Sequence, residues 1–175
     1  RFEGLSCCGG HLQLFGAITR SWRDLPIRYM EILGPSGDEQ RDSSVPNRYA
    51  GTGKRFDGHI FCGSGSVASE TRNAIRLLQE IYFELGFQEI EMRLHVGFLD
   101  RMHVGPQLQA AETDFVGVAM SDGIRAIKRS DDSFFGGPAL EICIRDGKGR
   151  AHSVAWLHLD TLIAPLERKA YVAMD

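Results

Sequence analysis

Residues 139–160 read ALEICIR-DGKG-RAHSVAWLHLD, and this stretch decides the fold. Two apolar-rich runs, Ala139 to Arg145 and His152 to Asp160, flank Asp146-Gly147-Lys148-Gly149. Asp-Gly between such runs is a strong short-range hairpin signal, because the tight turn needs residues that tolerate positive φ. The spacing therefore predicts antiparallel strands rather than the strand–helix–strand repeat of a dinucleotide-binding fold.

Working outward, Ile27 to Leu33, Phe56 to Cys62 and Ile90 to Val96 read as further strands, with a last one over Lys169 to Ala173. Helices are predicted over Gly10 to Asp24, Ser66 to Leu85 and Pro106 to Met120. The second shows the clearest period, with Ile75, Leu78, Ile81, Tyr82 and Leu85 on one face. Gly86 should end it in a left-handed cap, with Phe87 as the apolar contact that accompanies such caps. Gly34 to Gly53 is rich in Gly, Ser, Pro, Asn and Asp and reads as one long irregular loop, exposed or pinned by another protein. Strand hairpins with flanking helices indicate an α+β fold in one domain spanning 1–175.

Bulk properties narrow the function. The chain has 175 residues, 43% hydrophobic and 25% charged, with a formal net charge of −3. That is the balance of a soluble globular domain. Nothing global marks a nucleic-acid binder, and no apolar run reaches the length of a membrane helix, so membrane insertion is not expected. Four cysteines, two of them adjacent at Cys7 and Cys8, do not form a disulfide framework in a chain with a full apolar complement.

Three segments, taken together, resemble threonyl-tRNA synthetase, a class II aminoacyl-tRNA synthetase. Ser6-Cys7-Cys8-Gly9-Gly10-His11, followed by Leu25-Pro26-Ile27-Arg28, is similar to the family's Asn-Cys-Pro-Gly-His turn and its Leu-Pro-x-Arg. Asp57-Gly58-His59-Ile60-Phe61-Cys62 is similar to Asp-Ala-His-Ile-Phe-Cys. Phe135-Gly136-Gly137-Pro138, the hairpin and Leu159-Asp160 are similar to the family's Phe-Tyr-Gly-Pro-Lys, its next hairpin and its Gln-Leu-Asp. The resemblance implies a class II antiparallel sheet with flanking helices, truncated at both ends. The family's motif 1 would precede Arg1, and motif 3 and the anticodon-binding domain would come after Asp175. An editing domain is missing as well.

The departures from the family fall where its chemistry is. Activation brings a carboxylate to the ATP α-phosphate, so the site needs fixed positive charge. The motif 2 pattern Arg-x-Glu is here Gly37-Asp38-Glu39, and Arg-x-Arg-Gly-Phe is Tyr49-Ala50-Gly51-Thr52-Gly53. The lysine after Gly-Pro is Ala139, and the pocket glutamines are Ser153 and His158. The expectation is a pseudoenzyme with no catalytic residue, keeping Asp57, Glu39 and His158 as a vestigial substrate pocket.

No cofactor is expected. The family holds zinc through Cys, His and a second His, and Cys8 and His59 fall on the first two positions. The third would lie beyond Asp175, which leaves a vestigial metal site, or one completed by His158. A four-ligand set of Cys8, His11, His59 and Cys62 conflicts with strand alternation, which puts His59 and Cys62 on opposite faces. Arg20, Arg23 and Arg28 read as the solvated side of a helix and its exit, without the interleaved aromatics of a stacking platform.

The sequence thus predicts a non-catalytic synthetase-like domain serving as a structural or interaction subunit of a larger, organellar assembly, with other protein subunits as partners. The alternatives are a fragment of a working threonine–tRNA ligase completed in trans and an RNA-binding module derived from one. The first residue is Arg1 and no presequence is recognisable, so either a presequence was removed or the chain is a piece of something longer; removal on import fits a mitochondrial or other organelle matrix as the expected location, with the cytoplasm otherwise.

Overall fold

The structure is a computed structural model and describes residues 8–33, 55–96, 106–121, 125–128 and 137–160. Its contacts divide the chain into two compact units, residues 1–63 with 169–175 and residues 64–168. The predicted strand over 169–173 and the loop over 34–53 lie outside the described residues.

In the first unit a helix α1 (Cys8–Gly16) precedes a hairpin of β1 (Ile27–Leu33) and β2 (Arg55–Phe61). The helix expected to run to Asp24 stops at Gly16, and a separate 3-10 turn comes later at Trp22–Asp24. The reason is local. Ser21 sits at ψ 154°, which a helix cannot continue through. Its hydroxyl accepts from Arg23 N at 3.2 Å, and Asp24 Oδ2 accepts from Ser21 N at 2.7 Å. This reciprocal capping box starts a new turn in place of extending the old helix.

β1 and β2 pair antiparallel, with Tyr29 opposite His59 and Glu31 opposite Asp57. Alternation puts Ile27, Tyr29, Glu31, Asp57, His59 and Phe61 on one face. α1 covers that face: Phe15 stacks on Phe61 with centroids 4.2 Å apart, and His11 meets Tyr29 and His59. The opposite face carries Met30, Ile32, Phe56 and Ile60, and Met30 and Phe56 are 71% and 63% exposed.

The second unit holds α2 (Val67–Glu84), β3 (Ile90–Val96), α3 (Pro106–Ser121), β4 (Arg125–Lys128), β5 (Ala139–Arg145) and β6 (Ala151–His158). The strands form one sheet in the order β4-β3-β5-β6. β5 runs antiparallel to both neighbours, as the hairpin pattern requires. The sheet is not wholly antiparallel, however: β3 and β4 are parallel. The chain between them carries α3, and a helical crossover returns the chain to enter the sheet in the same direction. β4 has four residues, too few to show a period, and its direction is set by the crossover.

Leu94, Leu140 and Ile142 of the sheet are fully buried, joined in the core by Ile75 of α2 and Phe115, Val118 and Ala119 of α3. α2 ends as its sequence predicts. Gly86 takes φ 90°, its N–H reaches Phe83 O at 2.9 Å, and Phe87 N reaches Tyr82 O at 3.0 Å. The Phe87 ring then lies 6.3 Å from that of Tyr82. The hairpin turn is held by Asp146, whose Oδ1 accepts from Lys148 N and Arg150 N, each at 2.9 Å, with Gly149 at φ 75°. The Asp146 carboxyl is held well below the usual carboxylate range, first by His152 and then by Arg150. Among the described residues no helix is long and apolar enough to cross a membrane.

Gly137 enters β5 where the chain leaving β6 passes closest: a Cβ there would lie 1.8 Å from Leu159 O. The neighbour is backbone and cannot rotate away. Gly137→Ala should therefore lower stability by about 1–3 kcal/mol or more, read from urea denaturation midpoints. Gly147→Ala, whose new Cβ would meet nothing within 4 Å, should leave the midpoint nearly unchanged.

Candidate functional site

Two clusters of chemically active side chains form, one in each unit. In the first, α1 lays His11 across the inner face of the hairpin. His11 is 5% exposed, and its Nδ1 is 2.7 Å from His59 Nδ1, within hydrogen-bond distance. Its Nε2 lies 3.9 Å from Glu31 Oε1. Tyr29 closes the group, with its ring 5.6 Å from His11 and its hydroxyl accepting from Arg20 Nη2 at 2.9 Å. Asp57 stands opposite Glu31 on the same face, half-buried.

The structure thus brings Asp57 and His59 onto one face, as the strand pattern requires. It adds His11, whose contact with His59 spans 48 residues and had no local signal. Cys8 opens α1. Glu39, Gly37, Tyr49 and Gly51 lie outside the described residues. His158 belongs to the second unit, at the end of β6 opposite Ala139. Desolvation pushes its pKa down, against the opposing pull of Asp160. Ala139 itself is fully buried between β3 and β6.

The turn at Trp22–Asp24 overturns one sequence expectation. Aromatics do interleave with the arginines: the Arg23 guanidinium lies 4.9 Å over the Trp22 ring, and that of Arg20 lies 5.6 Å over Phe15. Chain order already alternates Arg20, Trp22, Arg23, and the helical projection obscured it by treating these residues as one continuous helix.

In the second unit the back face of the sheet carries Glu91, Arg93 and His95 from β3 against Glu141 and Cys143 from β5. His95 Nε2 donates to Glu141 Oε2 at 3.0 Å, and Arg93 Nη1 lies 3.7 Å from the same oxygen. Trp156 packs its ring 5.1 Å from that of His95. His95 Nδ1 is buried without a hydrogen-bond partner. Glu91 links the flank, accepting from Arg93 Nε at 2.8 Å and Arg145 Nη2 at 2.7 Å. Beside them Cys143 is 1% exposed, and burial, with the negative charge of Glu141 second, pushes its thiol up to about 11. A thiol so placed is neutral and inert, not a nucleophile.

Comparison with known proteins gives the lineage. No protein-family model matches the chain. Curated sequences do. It is 31% identical over 164 residues to a threonine–tRNA ligase of Buchnera aphidicola, covering 94% of this chain and 25% of that one. It is 32% identical over 177 residues to that of a Wolbachia of Drosophila simulans, covering 96% and 26%. This chain is homologous to a segment of the threonine–tRNA ligases. It spans about a quarter of the length of these relatives. A crystal structure of the RNA-binding domain of threonyl-tRNA synthetase from Cryptosporidium parvum shares the fold, with a TM-score of 0.66 at 24% identity over 88% of this chain and 38% of that one. A threonyl-tRNA synthetase of Aeropyrum pernix, described as ThrRS-1, aligns with a TM-score of 0.54 at 16% identity, over 84% of this chain and 36% of that one.

The zinc implied by the threonyl-tRNA synthetase resemblance would need Cys8, whose side chain lies outside those the structure describes, beside His59. A zinc site needs three or four donors with free lone pairs aimed at one point. The Nδ1 atoms of His11 and His59 are aimed at each other, and no three His, Cys, Asp or Glu side chains converge among the described residues.

Both clusters are open to direct test. Cys143 should stay unlabelled by iodoacetamide at pH 8 in the native protein and react once guanidinium unfolds it, with peptide mass spectrometry as the readout. His11→Ala removes a buried ring and its bond to His59, and should lower unfolding stability by about 1–3 kcal/mol, measured by urea titration.

Proposed function

We propose that this chain is an RNA-binding module derived from a threonyl-tRNA synthetase, built on a class II sheet and without threonine activation. The carrying observation is the pairing of 30–32% identity over 94–96% of the chain with threonine–tRNA ligases and the loss of cations inside that same stretch. Gly37, Tyr49, Gly51 and Ala139 stand where the family has three arginines and a lysine. Removing one such transition-state donor typically costs about 10²–10³ in rate, and four losses together leave the α-phosphate without a clamp. The relatives named above act on tRNA, and the Cryptosporidium neighbour is itself an RNA-binding domain, so retained RNA contact is the property most consistent with the lineage. The net charge of −3 requires that contact to come from a local patch, not from the whole surface.

A second reading, a structural subunit of a larger organellar assembly, is favoured by one observation. Met30, Ile32, Phe56 and Ile60 share the outer face of the β1–β2 hairpin and remain exposed, as an apolar interface would.

Both readings are separated from a working enzyme by one assay. Threonine-dependent ATP–pyrophosphate exchange should stay at background for the chain alone and with candidate partner chains added; robust exchange would refute the loss of activation. A threonine tRNA transcript should bind in fluorescence anisotropy, with affinity falling as salt rises because phosphate contacts release counterions. Failure to bind at low salt would leave the subunit reading as the one to pursue.

A further inference from the structure

The connection between α1 and β1 is a rigid turn that carries arginine and aromatic side chains outward. The Ser21–Asp24 capping box fixes the backbone of Trp22 and Arg23 from both ends. Trp22 is 50% exposed although it is the largest apolar side chain of its unit. The Arg23 guanidinium lies over its ring at 4.9 Å and is itself exposed. Arg20 is oriented by its neighbours. Its Nε donates to Phe15 O at 3.4 Å and its Nη2 to the Tyr29 hydroxyl at 2.9 Å, while its plane packs over Phe15. Those two bonds leave further guanidinium donors. Arg28 lies on β1 on the face opposite Tyr29, away from this group. The adjacent acid, Asp24, is held on the Ser21 N–H, so its carboxylate is committed to the turn.

An exposed indole with a guanidinium on it, with Arg20 two residues before it in the chain, is matched to one ligand chemistry. A nucleobase presents a flat π-face to the indole, and the phosphates on either side meet the guanidinium groups. Duplex RNA hides its base faces inside the stack, so only an unpaired nucleotide can reach the ring. We infer that Trp22 and Arg23 form a stacking platform for an unpaired base of RNA, with Arg20 contacting a flanking phosphate. This rests on the RNA-binding reading above and names the surface that performs it. The binding is tolerant of sequence, because every base has a π-face and nothing in the turn is arranged to read base edges. The platform is preformed: the capping box and the Arg20–Tyr29 bond hold the groups before a ligand arrives, so little side-chain ordering opposes binding.

The chain contains two tryptophans, Trp22 and Trp156, which makes fluorescence a direct probe. The full chain would be titrated with single-stranded oligouridine, with a blunt RNA duplex and with a threonine tRNA transcript. Oligouridine should quench tryptophan emission. Trp156→Phe should keep the quench and Trp22→Phe should lose it, while Trp22→Phe retains most of the affinity because a smaller ring still stacks. Trp22→Ala should weaken oligouridine binding by roughly tenfold, the loss of one stacked base, and Arg23→Gln should weaken it less. The blunt duplex should bind weakly and without quenching. Circular dichroism of each variant guards against misfolding, to which a half-exposed side chain contributes little. If the wild type binds RNA but Trp22→Ala binds equally well, the platform is wrong and the RNA-binding module stands with another surface. If the wild type binds neither RNA, the module itself is wrong and the platform falls with it. If Trp22→Phe still shows the full quench, the stacked ring is not Trp22 and the assignment is overturned.

Discussion

β5 is pressed from both sides, and the second unit is arranged around that constraint. It pairs with β3 and β6, and Ala139, Leu140, Ile142 and Cys143 are all buried. A strand buried on both faces leaves no exit for a polar side chain, so any it carries must find partners in place. Glu141 does so through His95, with Arg93 near the same oxygen. Arg93 and Arg145 in turn neutralise Glu91 at the edge of the network. The same squeeze explains why Gly137 tolerates no side chain and why the Cys143 thiol stays protonated.

The first unit solves a different problem. Two strands make a poor core by themselves, and the hairpin gains one through α1. Phe15 on Phe61 supplies apolar stacking, and His11 between Tyr29 and His59 closes the polar end. His59 is hydrogen-bonded to the His11 ring of the neighbouring helix. A hydrogen bond between two imidazoles can tie helix to hairpin in the way a shared ion would, without a third ligand. The stretch that joins them, with its capping box, is consequently held firm at Trp22 and Arg23 while the rest of the turn faces water.

Ala139 stands in a fully buried position between two strands. In the first unit positive charge is carried by Arg20, Arg23 and Arg28. Arginine and aromatic side chains together offer charge and flat π-faces to a partner.

Much was legible locally. The strands over 27–33, 90–96 and 139–145, the Gly86 cap of α2 and the Asp-Gly turn all arise from residue patterns within a few positions, because cap and turn chemistry are local properties; of the apolar face expected on α2, Ile75 is buried while Ile81 and Leu85 are 44% and 65% exposed. The lineage was legible too, since three ordered motifs are long enough to be specific. The contacts that give the chain its character were not. His11 meets His59 across 48 residues and His95 meets Glu141 across 46, and neither pair has a pattern that announces the other. The parallel entry of β4 depends on how α3 returns the chain, and the facing of Arg23 onto Trp22 depends on Ser21 breaking a helix that the apolar spacing alone would have continued. Sequence determined which segments are helix or strand through short-range periodicity; tertiary structure decided which side chains meet, because that depends on the path the chain takes between them.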